Sequence, residues 1–258
     1  MIGPIPYIGG KNRLAAQIIA LFPEHTTYVE VFAGGAQVLF RKEPSKVEVL
    51  NDLDYDVVNL FRVCQSHYEE LVRYLRFTIA SRQWFALLRA TDPAMLTDIQ
   101  RAARFLYLQK NSFGGLIVKQ NFHYGITQPS NFNPARIPEI IEAAHKRLAR
   151  VQIESLPYEE VIEKYDRPST LHFLDPPYWN RKWYKFNFKE DDFVALNERL
   201  HRLDGKFILT LDDHPSVRDL FKDFFIQRTE IAYSSQPKAG ARYGELLITN
   251  FASSAVGH

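Results

Sequence analysis

Four consecutive residues, Asp175-Pro176-Pro177-Tyr178, place a carboxylate, two prolines and an aromatic ring at the end of the apolar run Leu171-His172-Phe173-Leu174. Such a run fits a strand in the middle of a parallel sheet. Pro176 has no N–H with which to continue the ladder, so Asp175 is expected at the strand's carboxyl edge. In open α/β sheets that edge is where ligands bind. Pro176 restricts Asp175 to extended geometry and Pro177 stiffens the next step, so the carboxylate and the Pro176 carbonyl face one spot with no backbone donor between them. Two acceptors suit a planar NH2 group, and the Tyr178 ring offers a face for stacking. The guest these residues suit is an aminated heterocycle, a nucleobase; a plain Asx-type turn at a strand end would use the same residue types.

The elements that position this turn read as an α/β frame with a helical interruption. Gly9-Gly10-Lys11 precedes a helical pattern in Leu14, Ile18, Ile19, Leu21 and Phe22 that stops before Pro23. Thr27 to Phe32 reads as a strand running into Ala33-Gly34-Gly35, and Ala36, Leu39 and Phe40 suggest a helix after that turn. A second strand, Lys46 to Leu50, ends at Asn51-Asp52, with Asp52 17 residues beyond Gly35. An acidic side chain at that place is where ribose hydroxyls are held. The turn is not Gly-x-Gly-x-x-Gly, which leaves room for a smaller adenosine-bearing cofactor than a dinucleotide. From Val57 to about residue 110 the pattern is helical, and it leads into a loop region, Asn111 to Leu116 and Asn121 to Gly125, rich in glycine, aromatic and amide side chains. Such residues supply intercalating rings, base-edge contacts and close backbone approach, or else a plain hairpin. The frame resumes with a helix near Pro138 to Leu148 and a strand at Val151 to Leu156. After Tyr178, basic and aromatic residues interleave from Trp179 through Arg181 and Lys182 to Phe186, a composition that can contact phosphates and close over a base. A helix around Phe193 to Leu203, a strand at Lys206 to Leu211 and a short helix near Val217 follow. Two late strands, Phe225 to Tyr233 and Glu245 to Phe251, flank a loop with Gly240 and Gly244 and are expected to pair antiparallel.

Composition sets limits. A chain of 258 residues, 46% hydrophobic, can bury a large core, and no apolar run reaches the length of a membrane span. With no signal-peptide core at its start, the chain is expected in the cytoplasm. The single cysteine, Cys64, excludes an internal disulfide and a cysteine metal cluster, and its helical neighbours point to burial. The net charge of +2 is unevenly spread. Residues 57–150 carry 13 Lys and Arg against 6 Asp and Glu, whereas the rest carries 19 against 24. A basic insert in an acidic frame favours a polyanionic partner for the middle of the chain, although solvated helix faces account for part of the excess.

Gly9-Gly10-Lys11, Phe32-Ala33-Gly34-Gly35, Asn51-Asp52, Asn111 through Leu116, Asp175-Pro176-Pro177-Tyr178 and the closing Glu245-Leu246-Leu247-Ile248-Thr249-Asn250 occur in the order seen in Dam-type (D12 class) DNA adenine-N6 methyltransferases, which the chain resembles over nearly its whole length. The resemblance implies a Rossmann-like S-adenosylmethionine-dependent methyltransferase sheet with an antiparallel terminal hairpin. Residues 1–56 and 141–258 would form the catalytic domain, and 57–140 an inserted helical target-recognition domain for double-stranded DNA. It implies a cofactor site of Tyr7, Gly10, Lys11, Phe32, Ala33, Gly34, Gly35, Asp52 and Asp175. Asp175 and the Pro176 carbonyl would accept the two N6 hydrogens of a flipped adenine, and Tyr178 would stack on its ring. DNA contacts would come from Lys110, Asn111, Phe113, Gly114, Leu116, Lys119, His123, Arg181 and Lys182. No metal is implied, and a monomer is the simplest expectation.

The chain departs from the family pattern in the segment to which the resemblance assigns DNA reading. Gly114 stands where an asparagine is common and Val118 where an arginine often is, so a target other than GATC is expected. Other readings of the same motifs are an exocyclic-amine methyltransferase for RNA or cytosine N4, against which the leading Asp175 argues, and a catalytically silent DNA-binding protein. Cytosine-C5 chemistry needs a thiolate in a Pro-Cys context, which Cys64 lacks.

Overall fold

A computed structural model describes residues 3–118, 120–123, 130–179, 181, 183–232 and 242–252. In chain order its elements are α1 (Ala15–Ala20), β1 (Thr27–Glu30), β2 (Val47–Asn51), α2 (Tyr55–Ser66), α3 (Tyr68–Leu75), α4 (Arg82–Ala90), α5 (Asp98–Asn111) and α6 (Ile137–Leu148). Then come β3 (Gln152–Glu154), α7 (Tyr158–Tyr165), β4 (Thr170–Leu174), α8 (Glu190–Leu200), β5 (Lys206–Asp212), α9 (Pro215–Leu220), β6 (Phe225–Ala232) and β7 (Arg242–Thr249).

The strands form one seven-stranded sheet in the order β3-β2-β1-β4-β5-β7-β6. β1 pairs parallel with β2 and β4, β3 with β2 and β5 with β4, whereas β7 runs antiparallel to both β5 and β6. The central strands are apolar on both faces because both faces are covered. Along β4, Leu171 and Phe173 enter one core while Leu174 enters the other; along β5, Ile208 enters the first and Phe207, Leu209 and Leu211 the second. The first core also takes in α1, α6 and the helices α2 to α5, and the second takes in α7 and α8. The basic helical segment therefore rests on one face of the sheet and shares its core.

Local chemistry starts and stops these elements. Asp54 caps α2 by accepting the Asp56 N–H at 3.0 Å, and Thr97 opens α5 in a capping box with Gln100. Buried Cys64 lies within α2, as its neighbours predict.

The structure departs from expectation in four places. The stretch after Gly35 is a set of turns and not a helix. Ala36 takes a left-handed φ of 48°, and the Leu39 N–H is drawn at 3.0 Å to the buried Glu30 carboxylate, out of any helical ladder. Helix α7 lies unanticipated between β3 and β4, and β3 is shorter than the apolar run suggests. Gly244 belongs to β7, opposite Glu230, and not to the preceding loop; Gly240 lies outside the described residues.

One buried cluster fastens the returning helix to the sheet. On α6, Arg147 reaches both oxygens of Glu48 on β2 at 2.5 and 2.8 Å and also donates to the Leu39 carbonyl, while Lys42 meets Glu48 at 2.5 Å. Burial alone would raise the Glu48 carboxyl, and the Arg147 and Lys42 bonds more than reverse it, leaving it below its ordinary value. Replacing Arg147 with alanine is expected to lower the unfolding free energy in urea titration by about 2 kcal/mol. That is under the roughly 3–5 kcal/mol of a fully stranded charge because Lys42 still partners Glu48. An unchanged midpoint would show that α6 is held by its apolar face alone.

Candidate active site

The strand order reverses between β1 and β4, and the carboxyl ends of these neighbours open a crevice. Asn51 ties the strand ends around it. Its amide nitrogen donates to the Val31 and Leu156 carbonyls, each at 3.0 Å, and its oxygen accepts the Leu156 N–H at 2.9 Å. From this frame Ala33-Gly34-Gly35 turns across the mouth, with the Ala33 N–H on the Asn51 carbonyl at 2.8 Å. Gly34 sits at φ +47°, and a Cβ there would meet the Tyr7 ring at 2.9 Å, so both conformation and space require glycine.

Asp52 closes one end of the crevice. It accepts the N–H groups of Gly34 and Asp54, both at 2.8 Å and one on each oxygen, and burial pushes its carboxyl up to about 6. Each oxygen keeps a lone pair for a further donor, the arrangement a ribose diol needs. Phe32 packs between Tyr158 and Phe188, with ring centroids 5.7 Å away in each case. Tyr7, Phe32, Gly34, Asp52, Lys11 and Asp175 all line one cavity of ≈300 Å³. A buried diol acceptor, a glycine turn and aromatic walls fit an adenosine-bearing donor such as S-adenosylmethionine.

At the other end of the cavity stands Asp175. The β4–β5 register brings Thr210 alongside, and its hydroxyl donates to Asp175 Oδ1 at 2.7 Å. Lys11 Nζ reaches the same oxygen at 2.6 Å, Glu245 Oε1 at 3.2 Å and the Gly9 carbonyl at 2.9 Å. Among the described residues, Asp175 Oδ2 takes no protein hydrogen bond. Burial would lower the Lys11 ammonium, but Asp175 and Glu245 hold it above its ordinary value. Burial raises the Asp175 carboxyl, against the pull of Lys11 and with the push of Glu245. Tyr178 gives its hydroxyl to Glu245 Oε1, and Lys11 Nζ lies 4.8 Å from its ring centroid.

The residues expected to touch DNA are less uniformly placed. Gly114 is exposed, at φ +66°, with nothing within 4 Å of where a Cβ would stand. Asn111 is buried and holds the loop together: its amide donates to the Tyr107 carbonyl, its side-chain oxygen accepts from Ser130 at 3.0 Å, and its backbone carbonyl accepts the His123 N–H at 2.7 Å. Lys110 is also buried, which together with Arg136 lowers its amine to about 8. The Leu116 carbonyl accepts the Gln120 amide at 2.8 Å. Phe113 lies in a single 3-10 turn, Phe113–Gly115, whose Gly115 carbonyl accepts the Ile8 N–H at 3.1 Å. This bond joins the loop to the glycine-rich segment beside Lys11. Arg181 stacks over Trp183 at 4.8 Å, while Lys119 and Lys182 lie outside the described residues.

Sequence reasoning missed several members of the site. In the aromatic-basic loop after Tyr178, Lys185 pairs with Asp54 at 2.8 Å and Asp56 at 2.5 Å and not with an external anion, because the start of α2 presents two carboxylates to it. Tyr184 donates to the Ile8 carbonyl at 3.1 Å and stacks on Tyr7. Thr210 and Glu245 join through strand pairing. A polar residue inside an apolar strand run was the available signal for Thr210, since a buried polar group must find a partner; Glu245, at the start of its apolar run, offered no such signal.

Comparison with known proteins agrees with the geometry. The chain is 26% identical to the type II methyltransferase M1.LlaDCHI of Lactococcus lactis subsp. cremoris, over 95% of this chain and 94% of that protein. It is 26% identical to the DNA N-6-adenine-methyltransferase of Escherichia phage P1 over 84% of this chain and 30% of that longer protein. Its identity to the retron Ec67 DNA adenine methylase of Escherichia coli is 22%, over 85% of this chain and 80% of that one. The model of the D12 class N6 adenine-specific DNA methyltransferase family matches residues 7–234. A match of that span makes the chain a member of this family, S-adenosylmethionine-dependent enzymes that methylate adenine at specific sites in DNA.

Proposed function

We propose that the Asp175–Pro176 turn receives an adenine rotated out of double-stranded DNA, and that residues 57–140 face the DNA while 1–56 and 141–258 carry the chemistry. The observation that carries this reading is the division of labour at Asp175: Oδ1 is held by Lys11 and Thr210, and Oδ2 is left to accept an N6 hydrogen. The Pro176 carbonyl takes the second hydrogen. N6 shares its lone pair with the ring, and two in-place acceptors favour the geometry in which that pair becomes available. Bound in the cavity, S-adenosylmethionine would supply an activated methyl group, its carbon–sulfur bond breaking with the pair left on sulfur as N6 takes the methyl, and N6 would then shed one proton to solvent. Asp52 would hold the ribose hydroxyls, and Tyr7, Phe32 and the Gly34 turn would wall the adenosine. The amino group is paired inside a duplex, so the base must leave the stack.

The excess of Lys and Arg in the middle of the chain supports the DNA-facing role of that segment. Within it, Asn111 and Lys110 act by shaping the loop, and exposed Gly114 marks the part that approaches the groove. The lone buried cysteine suits a cytoplasmic enzyme. Among the described residues, no helix is long and apolar enough to cross a membrane.

Asp175→Ala is expected to slow single-turnover methyl transfer at least ~100-fold with the fold intact, because losing one of two acceptors aimed at the amine costs about 3 kcal/mol in the transition state. A near-normal rate would remove Asp175 from the chemistry. Cofactor binding provides a second check. The ionised Asp52 carboxylate accepts the ribose hydroxyls, so protonation competes with binding. Affinity for S-adenosylmethionine, read by calorimetry without DNA, should be flat above pH 6 and weaken below it, approaching about tenfold per pH unit. Asp52→Asn should bind weakly at every pH. The target sequence is testable by methylation-resolved sequencing of DNA from a naive host expressing the chain. Without a guanine-reading arginine at Val118, worth about 1–3 kcal/mol of discrimination, the consensus should differ from GATC. Complete modification of GATC and no other context would refute this.

A further inference from the structure

Glu245 precedes the apolar run Leu246-Leu247-Ile248 of β7, yet nothing in the adenine reading uses it. It is almost fully buried, at 3% exposure. It reaches the site because β7 is antiparallel: the register sets Glu245 opposite Asp212, at the carboxyl edge of β5, so the beginning of β7 lies where the parallel strands end. There it accepts the Tyr178 hydroxyl and stands 3.2 Å from Lys11 Nζ.

Lys11 does not need a second carboxylate for neutrality. Asp175 alone would balance its charge, and a further buried anion carries a desolvation cost of its own. With Glu245 present, the group of Lys11, Asp175 and Glu245 is net negative when its members are ionised; without it, the remaining pair is neutral. Methyl transfer moves a positive charge from sulfur toward N6, and a net negative group beside N6 favours that movement. The same carboxylate fixes the Tyr178 ring through its hydroxyl.

We propose that Glu245 is a positioning residue for methyl transfer, acting through Lys11 to keep Asp175 a strong acceptor and through Tyr178 to hold the stacking face. The inference rests on the reading of Asp175 and Tyr178 as the adenine site.

The test is single-turnover methylation of unmethylated plasmid DNA by the full chain with tritiated S-adenosylmethionine, enzyme in excess over sites. Glu245→Gln keeps an acceptor for Tyr178 but removes the charge. It should slow the step about 10- to 100-fold, with cofactor affinity and melting temperature as in the wild type. Glu245→Asp, which restores the charge, should recover part of the lost rate, whereas a role in side-chain shape alone predicts no gain over Glu245→Gln. A wild-type rate in Glu245→Gln, lost cofactor affinity, or no recovery in Glu245→Asp would each overturn the proposal. If Glu245→Gln does not fold, Tyr178→Phe decides: removing the hydroxyl alone should slow the step about threefold or more with unchanged cofactor affinity, and an unchanged rate overturns the proposal. Wild-type protein that puts no methyl on adenine would overturn the adenine reading and this inference together, whereas active wild type with unaffected variants overturns this inference alone.

Discussion

A buried ammonium group, that of Lys11, constrains how three distant parts of this chain come together. It lies in the glycine-rich segment before α1, and its hydrogens reach the Gly9 carbonyl, Asp175 at the end of β4 and Glu245 on β7. Removing such a charge from water costs several kcal/mol unless its partners are well placed. The amino-terminal segment, the central strand and the hairpin strand must therefore arrive together, which makes the cluster a source of geometric specificity more than of net stability. The side chain that carries the proposed chemistry is thereby fixed before any ligand arrives.

The sheet supplies the remaining order. Parallel pairing of β1 with β2 and β4 puts the Gly34 turn, Asp52 and Asp175 on one edge, because parallel neighbours end on the same side. The antiparallel β7 adds a residue from the start of its strand to the same edge, which no further parallel strand could do. The two cores that hold the sheet are built from alternating side chains of the same strands, so packing and site geometry come from one register.

The basic insert is joined to this arrangement at two levels. Its helices share the core on one face of the sheet, and Gly115 in its loop accepts a hydrogen bond from Ile8, three residues before Lys11. A second connection runs through Lys185, which bridges to Asp54 and Asp56, and Asp56 also meets Arg101 of α5 at 2.6 Å. Continuous polar contacts thus run from the loop after Tyr178 to the helix that leads into the candidate DNA-reading loop.

By itself the sequence determined the elements with strong periodicity and the turns whose residues leave the backbone few choices. Pro176 had to end a strand and leave Asp175 at its edge; Ala33-Gly34-Gly35 had to turn at the end of the first strand; Asp52 had to follow the second strand. These are local consequences of missing N–H groups, missing Cβ atoms and side-chain period. Where a local signal competed with a distant partner, tertiary structure decided. The apolar spacing of Ala36, Leu39 and Phe40 suits a helix, but buried Glu30 takes the Leu39 N–H and the stretch stays a turn. Asn111 and Lys110 have the chemistry of base and phosphate contacts, yet the packing of α5 buries both. Lys185 looks free for phosphate in a list of residues, and two carboxylates from a segment about 130 positions earlier claim it. Glu245 shows the same limit most clearly. Its place at the site depends on strand direction and register, which are set by long-range pairing and not by any residue near it in the chain.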